Sequence, residues 1–89
     1  MRAVVTVIGK DMVGILSKVS GACAEANANV IEVTQSVLQD MFAMIMLVDL
    51  SRCSVPQEEM RRRFAEVGEA MRMQVNVTRQ EVFDAMHRV

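Results

Sequence analysis

The sequence predicts an α+β fold, and three observations support this prediction. Short apolar runs of strand length alternate with two amphipathic segments whose apolar residues recur at helical spacing. The order is strand, helix, strand, strand, helix, strand and a tail. The first and third strands are apolar on both faces, whereas the second and fourth alternate apolar and polar residues. Two βαβ units joined by a hairpin give the ferredoxin-like βαββαβ sandwich: a four-stranded antiparallel sheet, two helices on one face and a short C-terminal helix.

The first strand and the first helix open the chain. Residues 2–8 (RAVVTVI) are β-branched and apolar, as in a central strand. Residues 15–26 show helical spacing, and Asp11 is well placed as the N-cap. The predicted buried stripe consists of Met12, Ile15, Leu16, Val19, Ala22, Cys23 and Ala26.

The second and third strands form the predicted hairpin. Residues 30–39 place Ile31, Val33 and Val37 on one face and polar residues on the other, which predicts a strand with one wet face. A tight connection leads to residues 41–50 (MFAMIMLVDL), whose two-sided hydrophobicity predicts a second central strand.

The second half of the fold begins at Pro56, a residue suited to the first turn of a helix. The buried stripe predicted for this helix consists of Met60, Phe64, Val67 and Met71. Apolar and polar side chains alternate in residues 72–79, which predicts an edge strand. The pattern of residues 80–88 predicts a short amphipathic helix. We expect this tail to cover the helix-free face of the sheet, by folding back or by reaching across a dimer.

Length and composition restrict the class of protein. The chain has 89 residues, enough for one domain, and 52% of them are apolar, more than so small a core requires. Oligomerisation could absorb the excess. The formal charge of −1 gives no basic footprint for nucleic acid, and three Phe without Tyr or Trp leave no aromatic platform for RNA.

The location expected is the cytoplasm. Cys23 and Cys53 lack CxxC spacing, and we expect both to be reduced thiols. The apolar run of residues 3–8 is too short for a signal peptide or a membrane span.

Catalytic groups are scarce, so we expect no enzyme, no metal and no cofactor. His87 reads as a solvated tail residue, and the two cysteines cannot form a tetrahedral metal site alone. Lys10 is the only cation in the first loop, too little for an acylphosphatase-like phosphate cradle. Arg61, Arg62 and Arg63 lie within a helical turn of glutamates and read as a solvated face.

The loop between the first strand and the first helix is the best candidate for a binding site. Its residues are Gly9, Lys10, Asp11, Met12, Val13 and Gly14. Backbone N–H groups at the following helix start favour a carboxylate, and Asp11 could pair with the ammonium of an α-amino acid. The alternative for Asp11 is a plain helix cap, and one carboxylate can serve both purposes.

Small residues form a second stripe on the first helix, which we interpret as a possible interface. They are Ser17, Gly21, Ala24 and Ala28. This stripe would let first helices self-pack across a two-fold axis while second strands pair at their edges. The alternative is an exposed helix with incidental small residues.

These residues resemble a known family. Gly9, Asp11 and Gly14 between strand and helix, followed by Asn29 at the next strand, look like an ACT domain, the small regulatory module that binds amino acids. The resemblance covers nearly the whole chain, residues 2–79. It implies an ACT-like domain over residues 1–79. Residues 80–89, a C-terminal tail helix, resemble the tail of stand-alone single-ACT-domain proteins of bacteria and archaea.

The resemblance also implies how a site would be built. In ligand-binding members, side-by-side dimers place the first loop of one subunit against the start of the second strand of the other. By position, Asp11 would meet the ligand's amino group and Gly14 would let the backbone approach. Asn29, with Val30 and Ile31, would contact the ligand from the partner, although Asn29 could equally be a turn residue. Gly9 departs from members that carry a larger polar residue there.

We therefore expect a homodimer, or a higher oligomer of this chain, that binds an amino-acid-like ligand and passes the information to a partner protein. We expect no nucleic-acid or membrane partner. The alternative is a protein–protein assembly module whose loop is empty.

Overall fold

A computed structural model describes residues 1–10 and 14–86, with the side chain of Leu38 not described. The elements in chain order are β1 (Arg2–Gly9), α1 (Ile15–Glu25), β2 (Asn29–Leu38), β3 (Met41–Asp49), α2 (Gln57–Met71), β4 (Gln74–Arg79) and α3 (Gln80–Met86). The predictions for Asp11, Met12, Val13 and His87 lie outside the described residues.

The sheet confirms the predicted fold class. Its strand order is β2-β3-β1-β4, and each neighbouring pair is antiparallel. The two strands that are apolar on both faces, β1 and β3, occupy the centre, because only a central strand has both faces covered. Met46 illustrates the centre: it pairs with Val5 on one side and Val33 on the other.

The core lies between the sheet and the two long helices. Alternate residues of β1 and β3 point into it, and α2 contributes Met60 and Phe64 from its predicted stripe. The buried core consists of Ala3, Val5, Val7, Ile15, Val19, Cys23, Ala26, Ala28, Phe42, Met44, Met46, Val48, Leu50, Met60, Phe64 and Met73. No buried polar side chain occurs among the described residues, so packing of apolar groups holds these layers together.

The apolar residues of β2 do not form the buried face that the alternation predicts, so this prediction is wrong. The register places Val33 opposite Met46 and Val37 opposite Phe42, on the side of the sheet that carries the helices. Val33 is nevertheless 37% exposed and Val37 55% exposed, because the helices do not cover this edge. A register shift at Ile31 also breaks the alternation, so Ile31 does not share the regular pairing of the other two.

The start of α1 differs from the prediction as well. The N-cap is Gly14, not Asp11, and its φ of 77° places it in the left-handed region that glycine enters without a Cβ penalty. Gly14 makes no side-chain cap, and its carbonyl oxygen accepts the Lys18 N–H at 2.9 Å. Leu16, predicted to be buried, is 38% exposed because it lies at the flank of the buried stripe.

The stripe of small residues is shorter than predicted. Ala28 follows the end of α1 and is only 8% exposed, so it belongs to the core and not to an exposed helix face. Ser17 and Gly21 line the open groove between α1 and α2. Ala24 is exposed outside this groove.

The tail helix α3 folds back against β1 and β4, as one of the two expected arrangements would have it. Phe83 lies with Val4, Ile45 and Leu47 around a small cavity on the helix-free face. No residue of α3 is buried, and Ile45 stays exposed, so the described part of the tail covers this face only in part.

Candidate functional site

The first loop leaves the sheet at the end where β1 meets the start of β3. Gly9 pairs with Phe42 there, and Lys10 is exposed. A Cβ built on Gly9 would lie 2.7 Å from both Cγ and Cε of Met73. The space that a larger residue would need at this position is therefore filled by the Met73 side chain.

A cleft of about 570 Å³ opens beside Gly9. Its lining residues are Ile8, Gly9, Lys10, Met41, Met71, Arg72 and Gln74. Two of these, Lys10 and Arg72, are cations, and no carboxylate lines the cleft within the described residues. This end of the sheet therefore presents two cations, close to the last residue of α2.

The second set of predicted site residues lies at the start of β2. Asn29 is exposed and stands opposite Asp49 of β3, while Val30 stands opposite Val48 and packs against the core. Ile31 is the residue at the register shift and is exposed.

The two sets do not meet within one chain. Gly9 pairs with Phe42 near one end of β3, and Asn29 pairs with Asp49 at the other end. Seven residues of an antiparallel strand at about 3.4 Å each separate these two pairs by about 24 Å. Gly9, Lys10 and Gly14 therefore cannot share a small ligand with Asn29 of the same copy.

A polar cleft at the Asn29 end was not predicted. It has a volume of about 560 Å³, and its lining residues are Asn27, Asn29, Asp49, Ser51 and Arg52. The positions are distant in sequence and meet only through the β2–β3 register. Two features of the sequence could have indicated this cleft: the polar residues Ser51 and Arg52 after β3, and the asparagines Asn27 and Asn29 between α1 and β2.

The carboxylate in this polar cleft is held in place and charged. The Oδ1 atom of Asp49 accepts the backbone N–H of Ser51 at 2.9 Å and lies 3.9 Å from the ammonium of Met1. The Ser51 hydrogen bonds hold the pKa of Asp49 below its ordinary value, with help from the charges of Met1 and Arg2. Asp49 is thus ionised at neutral pH.

The helix α2 carries an ion-pair cluster on its exposed side, as predicted for the arginine run. Arg62 pairs with Glu59 and Glu66, and Arg63 Nε lies 3.2 Å from Glu59 Oε1. Hydrogen bonds from Arg62 hold the pKa of Glu59 below its ordinary value. Arg61 instead donates from Nη1 to the Val77 carbonyl oxygen at 2.7 Å, which ties α2 to β4. These arginines make structural contacts.

The family-level comparison decides the identity of the fold. Residues 2–78 match the model of the ACT domain. The chain belongs to the ACT domain family. This ACT domain carries the two clefts described above at opposite ends of its sheet.

Relatives of this ACT domain are small proteins of similar length. The chain is 48% identical over 88 residues to a UPF0237 protein of Methanopyrus kandleri, covering 99% of this chain and 98% of the relative. It is 40% identical over 89 residues to a UPF0237 protein of Listeria monocytogenes, and the match covers all of both chains.

A solved structure shares the whole architecture. The ACT domain protein from Streptococcus pneumoniae superimposes with a TM-score of 0.80 at 32% identity, covering 94% of each chain. None of the helices in the described ranges 1–10 and 14–86 is both long and apolar enough to cross a membrane.

Proposed function

We propose that this ACT domain is a regulatory module that binds a small amino-acid-like ligand between two copies of the chain and signals through protein association. The observation that carries the proposal is the separation of Gly9 and Asn29 at opposite ends of one sheet. A ligand site that uses both must draw them from two chains.

A two-fold axis perpendicular to the sheet supplies that arrangement. It pairs two β2 strands antiparallel, so that the first residue of one strand lies beside the last residue of the other. The last residues of β2 share their end of the sheet with Gly9, through the pairs of Val37 with Phe42 and of Phe42 with Gly9. Such pairing brings Asn29 of each copy towards the first loop of the other.

The uncovered edge of the sheet supports pairing of this kind. β2 is terminal in the strand order, so one side of its backbone has no strand partner within the described part of the chain. Ile31, Val33 and Val37 are all exposed along it. Long edges with exposed apolar side chains pair readily with another strand, and pairing removes both unsatisfied polar groups and apolar surface from water.

The flank of α1 next to this edge gives a helical contact in the same dimer. Leu16, Ser20 and Ala24 recur four residues apart and form one row along the helix. Leu16 lies about 160° around the helix from Lys18, which faces the groove shared with α2. The small residues of this row leave room for a second helix, and this row replaces Ser17 and Gly21 as our proposed helical contact.

We assign the ligand's contacts from the sequence, and that of Lys10 from the charge of its cleft. Lys10 and the start of α1 face the ligand's carboxylate, and Asp11 faces its ammonium. Asn29 of the second copy contacts the polar groups of the ligand. Regulation follows if the ligand binds one dimer geometry better than another, since its differential affinity then sets the population of that geometry. This activity is non-catalytic.

A thermal-shift screen of the twenty proteinogenic L-amino acids tests the proposal. A ligand present at about ten times its Kd stabilises by about 1.4 kcal/mol, which raises the Tm of a domain this size by about 6–11 °C. Sedimentation of the same samples should show a tighter dimer. If no amino acid changes either quantity, the chain is not an amino-acid sensor.

The second candidate function is an assembly module, which the exposed β2 edge favours without any ligand. The double substitution Asp11→Ala and Asn29→Ala separates the two functions. It should abolish the effect of amino acids on Tm if the chain is a sensor. Under the assembly function, the amino acids should have no effect on the parent protein and the double variant should self-associate as tightly as the parent.

A further inference from the structure

The polar cleft at the Asn29 end is lined by residues of opposite charge. Asp49 provides a carboxylate and Arg52 a guanidinium, and two amides, Asn27 and Asn29, complete the rim together with Ser51. A volume of about 560 Å³ is within the range of small-molecule sites.

Hydrogen bonds hold the cleft together from both sides. The Nδ2 atom of Asn27 donates to the Arg52 carbonyl oxygen at 3.0 Å, and the Ser54 N–H donates to the Ala26 carbonyl oxygen at 2.7 Å. The loop that carries Arg52 is therefore tied to the end of α1. Asn27 adopts a φ of 59°, a left-handed conformation that asparagine tolerates and that helps aim its amide at this loop.

The anionic side of the cleft is equally fixed. Asp49 is held by the Ser51 N–H at 2.9 Å and stands directly opposite Asn29 across the β2–β3 pair. Cβ atoms of such pairs are about 4.5–5.5 Å apart. A ligand that contacts Asn29 is thus within reach of Asp49.

We propose that Asp49 and Arg52 are binding residues for the charged ends of a zwitterionic ligand, Asp49 for its ammonium and Arg52 for its carboxylate. The proposal rests on the proposed function, in which Asn29 contributes to the ligand site from the second copy. It adds a charge clamp to that site on the side of Asn29. The Asp49 carboxylate lies 3.9 Å from an α-ammonium, that of Met1, and a carboxylate can accept hydrogen bonds from several donors at once.

The chemistry of the pair defines the ligand class. A guanidinium binds a carboxylate with two parallel N–H donors, and a carboxylate binds an ammonium through charge-assisted hydrogen bonds. A ligand with only one charge leaves the other side of the clamp unpaired. The cleft therefore selects molecules that carry both charges close together, as α-amino acids do.

The test pairs variants of the protein with variants of the ligand. The twenty L-amino acids are first screened against the parent chain, and the tightest binder is then compared with its α-carboxamide and its N-acetyl derivative. The protein variants are Arg52→Gln and Asp49→Asn. The controls are Arg79→Gln, on the far edge strand β4, and Glu69→Gln, on the exposed side of α2.

We expect Arg52→Gln and Asp49→Asn each to weaken binding of the amino acid about 10- to 100-fold, the effect of losing one charge-assisted hydrogen bond. The two controls should bind as the parent does. The carboxamide should bind the parent about 10- to 100-fold more weakly than the amino acid, and this factor should be smaller with Arg52→Gln, where only Lys10 and the start of α1 still meet the carboxylate. The penalty for the N-acetyl derivative should likewise be smaller with Asp49→Asn than with the parent, because only Asp11 still meets the ammonium in that variant.

Two results overturn the proposal, and they are distinguishable. If an amino acid binds the parent and both variants equally, the charge clamp is wrong while the proposed function survives. If none of the twenty binds the parent, the proposed function fails and the clamp fails with it. Carboxamide binding as tight as that of the amino acid to the parent chain also overturns the role of Arg52, independently of how the variants fold.

Discussion

Gly68 of α2 packs directly against Val75 of β4. A Cβ built on Gly68 would lie 2.7 Å from Cγ2 of Val75 and 2.9 Å from the carbonyl oxygen of Met73. The Met73 N–H donates to the Gly68 carbonyl oxygen at 2.8 Å, so the two backbones are joined at this point. The absence of a side chain at Gly68 sets how closely the helix approaches the sheet.

The substitution Gly68→Ala should therefore destabilise the protein. Overpacking of this kind costs about 1–3 kcal/mol, more than the gain of about 1 kcal/mol in helix propensity. Gly21→Ala is the matched control, because nothing lies within 4 Å of a Cβ built there. We expect that control to raise the free energy of unfolding by about 1 kcal/mol in urea denaturation. Equal effects of the two substitutions would contradict the packing argument.

Gly9 and Met73 form a second close contact, at the edge of the first loop. A Cβ on Gly9 would lie 2.7 Å from Cγ and Cε of Met73. Gly9→Ala should cost about 1–3 kcal/mol of unfolding free energy in the parent chain and much less in a Met73→Ala background. A double-mutant cycle in urea measures the coupling, and a value near zero would show that the two residues do not constrain each other.

The centre of the fold could be predicted because two-sided hydrophobicity has a single explanation in a sheet. Val4 and Val5 point to opposite faces of β1 and both are buried, so β1 must be central. Alternation in β2 is less informative. It shows which side chains share a face but not whether anything covers that face, and Val37 stays exposed although it lies on the face that carries the helices.

The candidate site was harder to predict, because long-range register decides it. The sequence pointed to Asn29, but Asp49 and Arg52 lie at least twenty positions further along the chain and reach Asn29 only through the β2–β3 pairing. Similarly, both Asp11 and Gly14 suit a helix start, and local propensity does not choose between them. Their roles in ligand binding stay predictions.

Cys23 links stability to alkaline pH. Burial raises the pKa of its thiol to about 11 from an ordinary 9.0, with a smaller contribution from Cys53. The unfolded thiol loses its proton near pH 9 while the folded one keeps it to about pH 11, so the unfolded state binds fewer protons between these values. Stability due to this thiol is present below pH 9 and is lost as the pH rises towards 11.

Urea denaturation at pH 8.0 and pH 10.5 measures this loss. We expect the parent chain to lose about 2 kcal/mol more between the two pH values than Cys23→Ala does. Cys53→Ala, in the half-buried loop position, should retain most of the pH dependence of the parent. If the parent and Cys23→Ala lose the same free energy of unfolding between the two pH values, the Cys23 thiol is not the cause of the pH dependence.

The exposed edge of β2 leads to a prediction about self-association of the chain. Val37 is 55% exposed on the uncovered edge strand, and Val82 of α3 is 47% exposed on another surface. Lysine on an edge strand opposes strand pairing, because pairing would remove water from around its ammonium. Val37→Lys should therefore raise the dimer Kd at least about tenfold, the equivalent of about 1.4 kcal/mol.

Sedimentation velocity over a concentration series, with far-UV circular dichroism to confirm the fold, measures this effect. Val82→Lys introduces the same charge at similar exposure on α3, outside the cavity that α3 shares with Glu32 and Thr34 of β2, and should dimerise as the parent does. If both variants dissociate alike, the added charge opposes association in general and β2 is not the interface. If neither dissociates, the copies meet elsewhere, and Gly9 and Asn29 would not be joined across two chains. The two outcomes thus separate an edge-to-edge dimer from every other packing of this domain.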